Sequence, residues 1–150
     1  MQILRRSRER TSPRSGAAMV ETALVLPIFF MVVLGIVEFG RAMMVAQLLN
    51  NGAREGCRIA IMTGSTNAAV ETAVLDFVED AVGVDRNQVT VTITVTPAPG
   101  NPDPANNVAN ANKRDLCEIN VSVPFDQVDF LPGTYLADSN LSGQCAMRHE

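Results

Sequence analysis

The hydrophobic pattern of the chain is dominated by one apolar segment near the N-terminus. From Ala23 to Val37 the residues are apolar and uncharged, apart from Pro27 and Gly35. Fifteen helical residues cover roughly 22 Å, so the segment from Ala17 must be added to reach the roughly 30 Å of a bilayer core. We expect a membrane span over about 17–38. Its first turns contain the carboxylate of Glu21, which is costly in lipid and is therefore a candidate functional group.

Beyond the span the pattern stays helical until Gly64. Apolar or small residues recur there at steps of three and four, which places them on one side of a helix. The members of this stripe are Met43, Ala46, Leu49, Ala53, Cys57 and Ala60. We expect one long helix over 17–62 whose second half packs on a folded head, residues 63–150. Pro27 removes a backbone hydrogen bond, so it is either a helix hinge or a proline that the span tolerates.

The pattern of the head predicts a helix followed by strands. A second helix is predicted over 68–82, with Val70, Val74, Phe77, Val78 and Ala81 on its inner face. Strands are predicted over 89–96, 116–125 and 141–148, where apolar and polar residues alternate. The Pro-, Asn- and Asp-rich stretch 97–114 is expected to be a mobile loop with little to bury. In the link that follows the second strand, Phe130, Leu131, Tyr135 and Leu136 are expected to cover one end of the sheet. The fold class is therefore α+β: a long helix, a second helix, and a small antiparallel sheet of about three strands packed on the long helix.

Charge is strongly partitioned along the chain. Residues 1–16 contain five arginines and one glutamate, a net +4, whereas the remainder has seven basic and fifteen acidic residues, a net −8; together these give −4. We interpret residues 1–16 as a basic cytoplasmic leader and the acidic remainder as exported. An acidic head also argues against nucleic-acid binding. An ordinary signal peptide is the alternative, but this apolar stretch exceeds its usual length and lacks a convincing A-x-A site.

Three cysteines are present, and an exported domain permits disulfide bonds. Cys117 and Cys145 belong to the inner faces of two predicted strands, and Cys57 belongs to the helix stripe that covers them. We expect a Cys117–Cys145 bond, with Cys57–Cys117 as the rival and three buried thiols as the third possibility.

No enzymatic signature stands out in the sequence. His149 is the only histidine, and no Cys/His cluster, nucleophile elbow or phosphate loop occurs. We therefore expect no metal, no cofactor and no catalytic residue.

Both ends of the chain resemble a known family. Gly16 to Ala42 reads GAAMVETALVLPIFFMVVLGIVEFGRA, which resembles the opening of the TadE-like family, the minor pilins of tight-adherence pili. That family typically shows a G-A-x-x-V-E-x-A-L-x-L-P run, a later E-F-G-R, and a closing small-Met-Arg-acidic tail similar to residues 146–150. In this class, which belongs to the type IV prepilins, a membrane peptidase cuts after the glycine. The resemblance implies a cut between Gly16 and Ala17 that leaves Glu21 as the fifth residue.

The resemblance implies a structural subunit and not an enzyme. Such a subunit would be cut after Gly16 and assembled into, or assist assembly of, a Tad (type IV-like, Flp-type) pilus for adhesion or secretion. It would be a single-pass protein of the bacterial inner membrane, with its N-terminus cytoplasmic and its C-terminus outside. Its partners would be the prepilin peptidase, other pilin-like subunits, inner-membrane assembly proteins and lipid. The alternative is an uncut, membrane-anchored interaction module.

Two acids in the resembling segment have alternative interpretations. Glu21 can pair with the new amine of a neighbouring subunit during assembly, or it can serve only its own helix N-terminus. Glu38 can be an interfacial acid that pairs with Arg41, or an assembly contact.

Overall fold

The structure, a computed structural model, describes residues 13–128, 136 and 139–150, with side chains from Gly16 onward. Helix α1 spans Pro13–Ala60 and α2 spans Asn67–Val82. Strands β1, β2 and β3 span Thr90–Thr96, Leu116–Pro124 and Asn140–Arg148. Short 3-10 turns lie at Arg86–Gln88, Val108–Asn110 and Phe125–Gln127. The chain divides into two compact units between Ile36 and Val37.

Helix α1 is continuous, as the pattern predicts. Its described part extends further toward the N-terminus than expected, to Pro13. Pro27 lies inside it without ending it. In the head-forming part the buried stripe is Glu38, Ala42, Val45, Leu49, Ala53, Cys57 and Ala60. The predicted stripe was wrong at its first two positions: Met43 is exposed and Ala46 is only half-buried, whereas Ala42 and Val45 take the inward positions.

The head is a two-layer α+β structure, and the predicted fold class is confirmed. Its sheet is antiparallel with order β1-β2-β3. Central strand β2 alternates strictly, so that its Cys117, Ile119, Val121 and Val123 are buried on one face. That face packs with the buried stripe of α1 and with α2 in one hydrophobic core.

Helix α2 is bounded by local signals. The Thr66 side chain accepts a hydrogen bond from Ala69 N at 3.3 Å, and Gly83 ends the helix in the left-handed conformation at φ 78°. Its buried residues are Val70, Val74 and Val78, whereas Ala81 is exposed, which corrects the predicted inner face. The helix continues its contact through Val82 instead, because the step of four from Val78 keeps to the buried side.

Strand β3 lies directly against the backbone of α1. A Cβ atom built on Gly143 would overlap the backbone of Leu49 and Asn50 and would lie 2.7 Å from Leu49 O. At the same place the Asn50 side-chain oxygen accepts a hydrogen bond from Gln144 N at 3.0 Å. The absence of a side chain at residue 143 therefore lets helix and strand approach, and Asn50 fixes their register.

The loop between β1 and β2 differs from the expectation of a mobile segment with little to bury. The buried Asp115 carboxylate accepts hydrogen bonds from Ala98 N at 2.8 Å, Asn101 Nδ2 at 2.6 Å and Asn112 N at 2.7 Å. Pro104 is fully buried, and Val108 is almost fully buried.

Further amide side chains attach the same loop to its neighbours. Asn106 Oδ1 accepts from Val95 N of β1 at 3.0 Å, and Asn67 of α2 binds the backbone of Asn106 and Val108. The asparagines that suggested mobility are the groups that hold the loop in place, since their side chains replace missing backbone partners.

Candidate functional site: the apolar part of α1

The residues of the expected processing site lie in the first turns of α1. Gly16, Ala17 and Glu21 are all helical and exposed. A Cβ atom on Gly16 would meet nothing within 4 Å. A protease that needs an extended backbone must therefore unwind the start of α1 at Gly16, and no tertiary packing of Gly16 opposes this.

The helix around Glu21 is apolar on every side. The large side chains between Met19 and Val37 are exposed, from 38% for Leu34 to 73% for Met19, except for Val33, which is half-buried. The segment is long and apolar enough to cross a membrane, with a window of mean hydropathy 2.5 of which none is buried. A helix that is apolar all round is explained by a lipid surrounding or by other helices, since water would not favour it.

Glu21 lies at the edge of a shallow groove on this surface. The groove is lined by Glu21, Thr22, Val25, Leu26 and Phe29. Glu21, Val25 and Phe29 follow one another at steps of four along one side of the helix. Thr22 uses its hydroxyl to donate to Ala18 O at 2.9 Å.

No residue that the structure describes donates a hydrogen bond to Glu21 or forms an ion pair with it. Because α1 begins at Pro13, the first turn contains no acid. Whether Glu21 serves its own helix N-terminus or a neighbouring subunit stays a prediction. Pro27 lines a second shallow groove with its neighbours on α1, and its role as a hinge stays a prediction.

Glu38 and Arg41 both bind the main chain of the head. Glu38 is 5% exposed, and its Oε1 accepts a hydrogen bond from Leu136 N at 2.9 Å. One turn further on, Arg41 Nε donates to Val128 O at 3.1 Å. The E-F-G-R run of α1 thus holds the main chain on both sides of the link between β2 and β3. Whether Glu38 also lies at the membrane interface, pairs with Arg41 or makes an assembly contact stays a prediction, but Glu38 is packed in the head. A signal for this was present: Glu38 lies four residues before Ala42 on the buried stripe.

The hydrophobic link residues can be placed only in part. Leu136 packs on the edge of the core, as expected for a residue that covers the sheet. Phe130, Leu131 and Tyr135 lie outside the described residues.

The three cysteines come together in the head core as free thiols. The Cys57 thiol donates to Cys145 O at 3.1 Å, with a longer contact of 3.8 Å to Cys117 O. Burial, together with a hydrogen bond to the Cys145 thiol, raises the pKa of Cys57 to about 12. Burial also raises the pKa of Cys117, with a smaller contribution from the charge of Asp115. Whether a disulfide forms, and between which cysteines, stays a prediction.

Within the ranges that the structure describes, no group of three or more His, Cys, Asp and Glu side chains is arranged to hold a metal ion.

An exposed apolar helix that continues into a helix-on-sheet head is the architecture of a membrane-anchored, pilin-like protein. The sequence model of the family described as TadE-like protein matches residues 16–58, which is almost the whole of α1. The resemblance to the TadE-like family seen in the sequence is therefore confirmed over residues 16–58. That family is a structural, non-enzymatic one associated with the Tad pilus. No curated protein and no solved structure matches the chain.

Proposed function

We propose that the protein is a TadE-like, pilin-related subunit, cut between Gly16 and Ala17 and then assembled into, or assisting assembly of, a Tad pilus that serves adhesion or secretion. One observation carries the proposal. Within the segment that matches the family, Glu21 lies on an exposed and mostly apolar helix surface, and no described residue gives it a hydrogen bond or an ion pair. A carboxylate without such a partner has a high free energy in lipid, and pairing with a group from another chain would offset part of it.

The partner we propose is the amine that the cut creates. Cleavage leaves a positive charge on Ala17, four residues before Glu21. In a bundle of like helices, the amine of one subunit can approach Glu21 of the next. Pairing recovers part of the desolvation cost of both charges and fixes the axial position of the incoming helix.

We also propose the orientation and the surroundings. The N-terminus lies in the cytoplasm and the head outside the bacterial inner membrane, on the strength of the +4 leader and the acidic remainder. The span covers about 17–38. Its partners are the prepilin peptidase, other pilin-like subunits, the inner-membrane assembly proteins and the surrounding lipid.

Intact mass tests the processing step. The protein is expressed with and without its peptidase, extracted from the membrane and weighed by mass spectrometry. We expect a chain beginning at Ala17 only when the peptidase is present. Gly16→Val should stay uncut, because a branched side chain cannot enter a groove that accepts glycine. Gly16→Ala, which adds one methyl group, is the matched control and should retain some cleavage. A chain that still begins at Met1 with an active peptidase would favour the uncut, anchored interaction module.

Glu21→Ala tests the assembly step separately. We expect membrane insertion, cleavage and head stability to persist while co-purification with pilin-like partners is lost. Glu55→Ala, which removes an exposed acid on the head part of the same helix, is the control and should co-purify normally. Recovery of Glu21→Ala with its partners at the wild-type level would refute the assembly role.

A further inference from the structure

The three cysteines lie on three different elements that meet in one place. Cys57 is on α1, Cys117 on β2 and Cys145 on β3. Cys57 and Cys117 are fully buried, whereas Cys145 is half-buried and open to reagents. The Cys57 thiol is directed at β3, since its shorter contact, 3.1 Å, is with Cys145 O and its longer one, 3.8 Å, with Cys117 O.

The register of the sheet separates the other two cysteines. Cys117 lies opposite Met147, and Cys145 lies opposite Ile119. The two cysteines are therefore diagonal neighbours, whose Cα atoms in an antiparallel pair stand about 7–8 Å apart. A disulfide needs a Cα separation below about 7 Å, so a Cys117–Cys145 bond would require the backbone to move.

We propose that Cys57 and Cys145 form a disulfide bond that joins α1 to β3, with Cys117 left as a buried thiol. Of the three possible pairs, this is the one in which a thiol already faces its partner residue and in which one member is accessible. The bond would form in the compartment to which the head is proposed to be exported, where disulfides persist. Only the compartment depends on the proposed orientation; the choice of partners does not.

The reaction is a thiol–disulfide exchange with a reactive disulfide, either of an oxidising protein or of glutathione. The thiolate of half-buried Cys145 attacks one sulfur of that disulfide, forms a mixed disulfide and releases one thiolate. The thiolate of Cys57 then attacks the Cys145 sulfur and releases the second. The two cysteines lose two electrons and two protons, and the oxidant becomes two thiols.

The environment of the thiols sets the order of these steps. Cys57 is buried and its pKa is raised, so in the closed head it is rarely a thiolate and the second step is slow. We therefore expect the bond to form as the head folds, or through its transient opening. Cys117 is fully buried, and the negative charge of nearby Asp115 further disfavours its thiolate, which keeps it out of the exchange.

Peptide mapping of the full chain tests the pairing. The protein, purified in detergent micelles, is refolded with oxidised and reduced glutathione, its remaining thiols are alkylated, and it is digested without reduction. Trypsin alone does not separate Cys117 from Cys145, because no Lys or Arg lies between them, but cleavage after Glu118 does. A digest with trypsin and a glutamate-specific protease therefore places each cysteine on its own peptide.

We expect the peptide containing Cys57 to be linked to the peptide containing Cys145, and Cys117 to be alkylated. Cys117→Ala is the matched control and should keep the link, whereas Cys57→Ala and Cys145→Ala should lose it. Cys117 in a disulfide in the wild-type chain, or three alkylated thiols after oxidative refolding, would overturn the proposal whether or not the variants fold.

The same digest of protein taken from cells separates this proposal from the proposed orientation. A Cys57–Cys145 link in that sample supports both. A link that forms on refolding but is missing in the cellular sample would contradict the outward orientation and leave the pairing standing.

Discussion

Gly143→Ala is expected to be one of the most damaging single-methyl changes in the head. The added Cβ would overlap backbone atoms of Leu49 and Asn50, and it would lie 2.7 Å from Leu49 O. Backbone in the middle of a helix cannot rotate out of the way as the end of a side chain can. The helix and the strand must therefore separate, by roughly the ångström that brings such a contact to ordinary van der Waals distance.

The loss in the free energy of unfolding of Gly143→Ala can be estimated from the interactions that this separation disrupts. Overpacking of this kind costs about 1–3 kcal/mol. Moving β3 away from α1 also stretches the hydrogen bond from Gln144 N to Asn50, 3.0 Å in the structure, which contributes about 1 kcal/mol. Together the free energy of unfolding should fall by about 2–4 kcal/mol. For a head of this size about 4 °C is lost per kcal/mol, so Tm should fall by about 8–16 °C.

Two glycines of α1, Gly56 and Gly40, allow the effect of an added methyl group to be compared with that at Gly143 of β3. A Cβ on Gly56 would lie 2.5 Å from Val74 Cγ2 and 3.0 Å from Ile119 Cδ1, which are side-chain atoms that can shift. A Cβ on Gly40 would meet nothing within 4 Å. We expect Gly40→Ala to stabilise the helix by up to about 1 kcal/mol, Gly56→Ala to destabilise moderately, and Gly143→Ala to destabilise most.

The buried thiols supply the assay. The full chain in detergent with a non-thiol reductant is heated with a fluorogenic maleimide, which reports the exposure of Cys57 and Cys117 as the head unfolds. A Tm for Gly143→Ala within about 2 °C of wild type would refute the close approach of β3 to α1. A larger loss for Gly56→Ala than for Gly143→Ala would refute the distinction between backbone and side-chain clashes.

Three further predictions use the same protein. Hydrogen bonds from the backbone N–H of Ala98, then from Asn101 and from the N–H of Asn112, lower the pKa of Asp115. The stabilisation that its carboxylate gives the head is therefore complete above the unfolded-state pKa of about 4 and is lost as pH falls through the lower folded-state pKa. Asp115→Asn should lower Tm at pH 7 and reduce the loss of Tm on acidification, and an unchanged acid response would contradict this. Glu38→Ala removes the carboxylate that accepts a hydrogen bond from Leu136 N, and it should lower the free energy of unfolding by about 1–3 kcal/mol in the same thermal assay. Glu38→Gln should lower it less, because an amide oxygen can still accept that hydrogen bond. Equal losses for the two variants would contradict the hydrogen-bond explanation. Amide hydrogen exchange at Ala98 and Asn112 should be slow in the wild type and fast in Asp115→Asn, and fast exchange in the wild type would show that the loop is not held.

The parts of the fold that repeat with a fixed period were predictable from the sequence. The alternation along β2 is local, so the sequence alone assigns Cys117, Ile119, Val121 and Val123 to one face. The long helix follows from its apolar stripe in the same way, although a shift of one residue at its start put Met43 and Ala46 in place of Ala42 and Val45. Fold class and strand number follow once these periods are recognised.

The hydrogen bonds that complete the head were not predictable, because they join side chains to main chain far away in sequence. Glu38 binds Leu136 across 98 residues, and Asn50 binds Gln144 across 94. The spacing of polar residues along the sequence shows no periodicity from which such a distant hydrogen-bond partner could be predicted. At the candidate site Gly16, Ala17 and Glu21 were predicted from their spacing along one helix, and their roles stay predictions. That the Gly16–Ala17 bond lies within a helix came only from the structure.

The ordering of the loop between β1 and β2 has a consequence for recognition at the surface of the head. Three of its non-glycine residues, Ala105, Asn106 and Arg114, have positive φ values of 54°, 56° and 77°. Such conformations are unfavourable for most side chains, and here the hydrogen bonds of Asp115 and Asn106 hold the surrounding chain in place. The conformational entropy of this loop is thus lost when the head folds. An antibody or a receptor that meets the loop encounters one preformed shape, and its affinity is not reduced by the entropy of ordering a flexible segment.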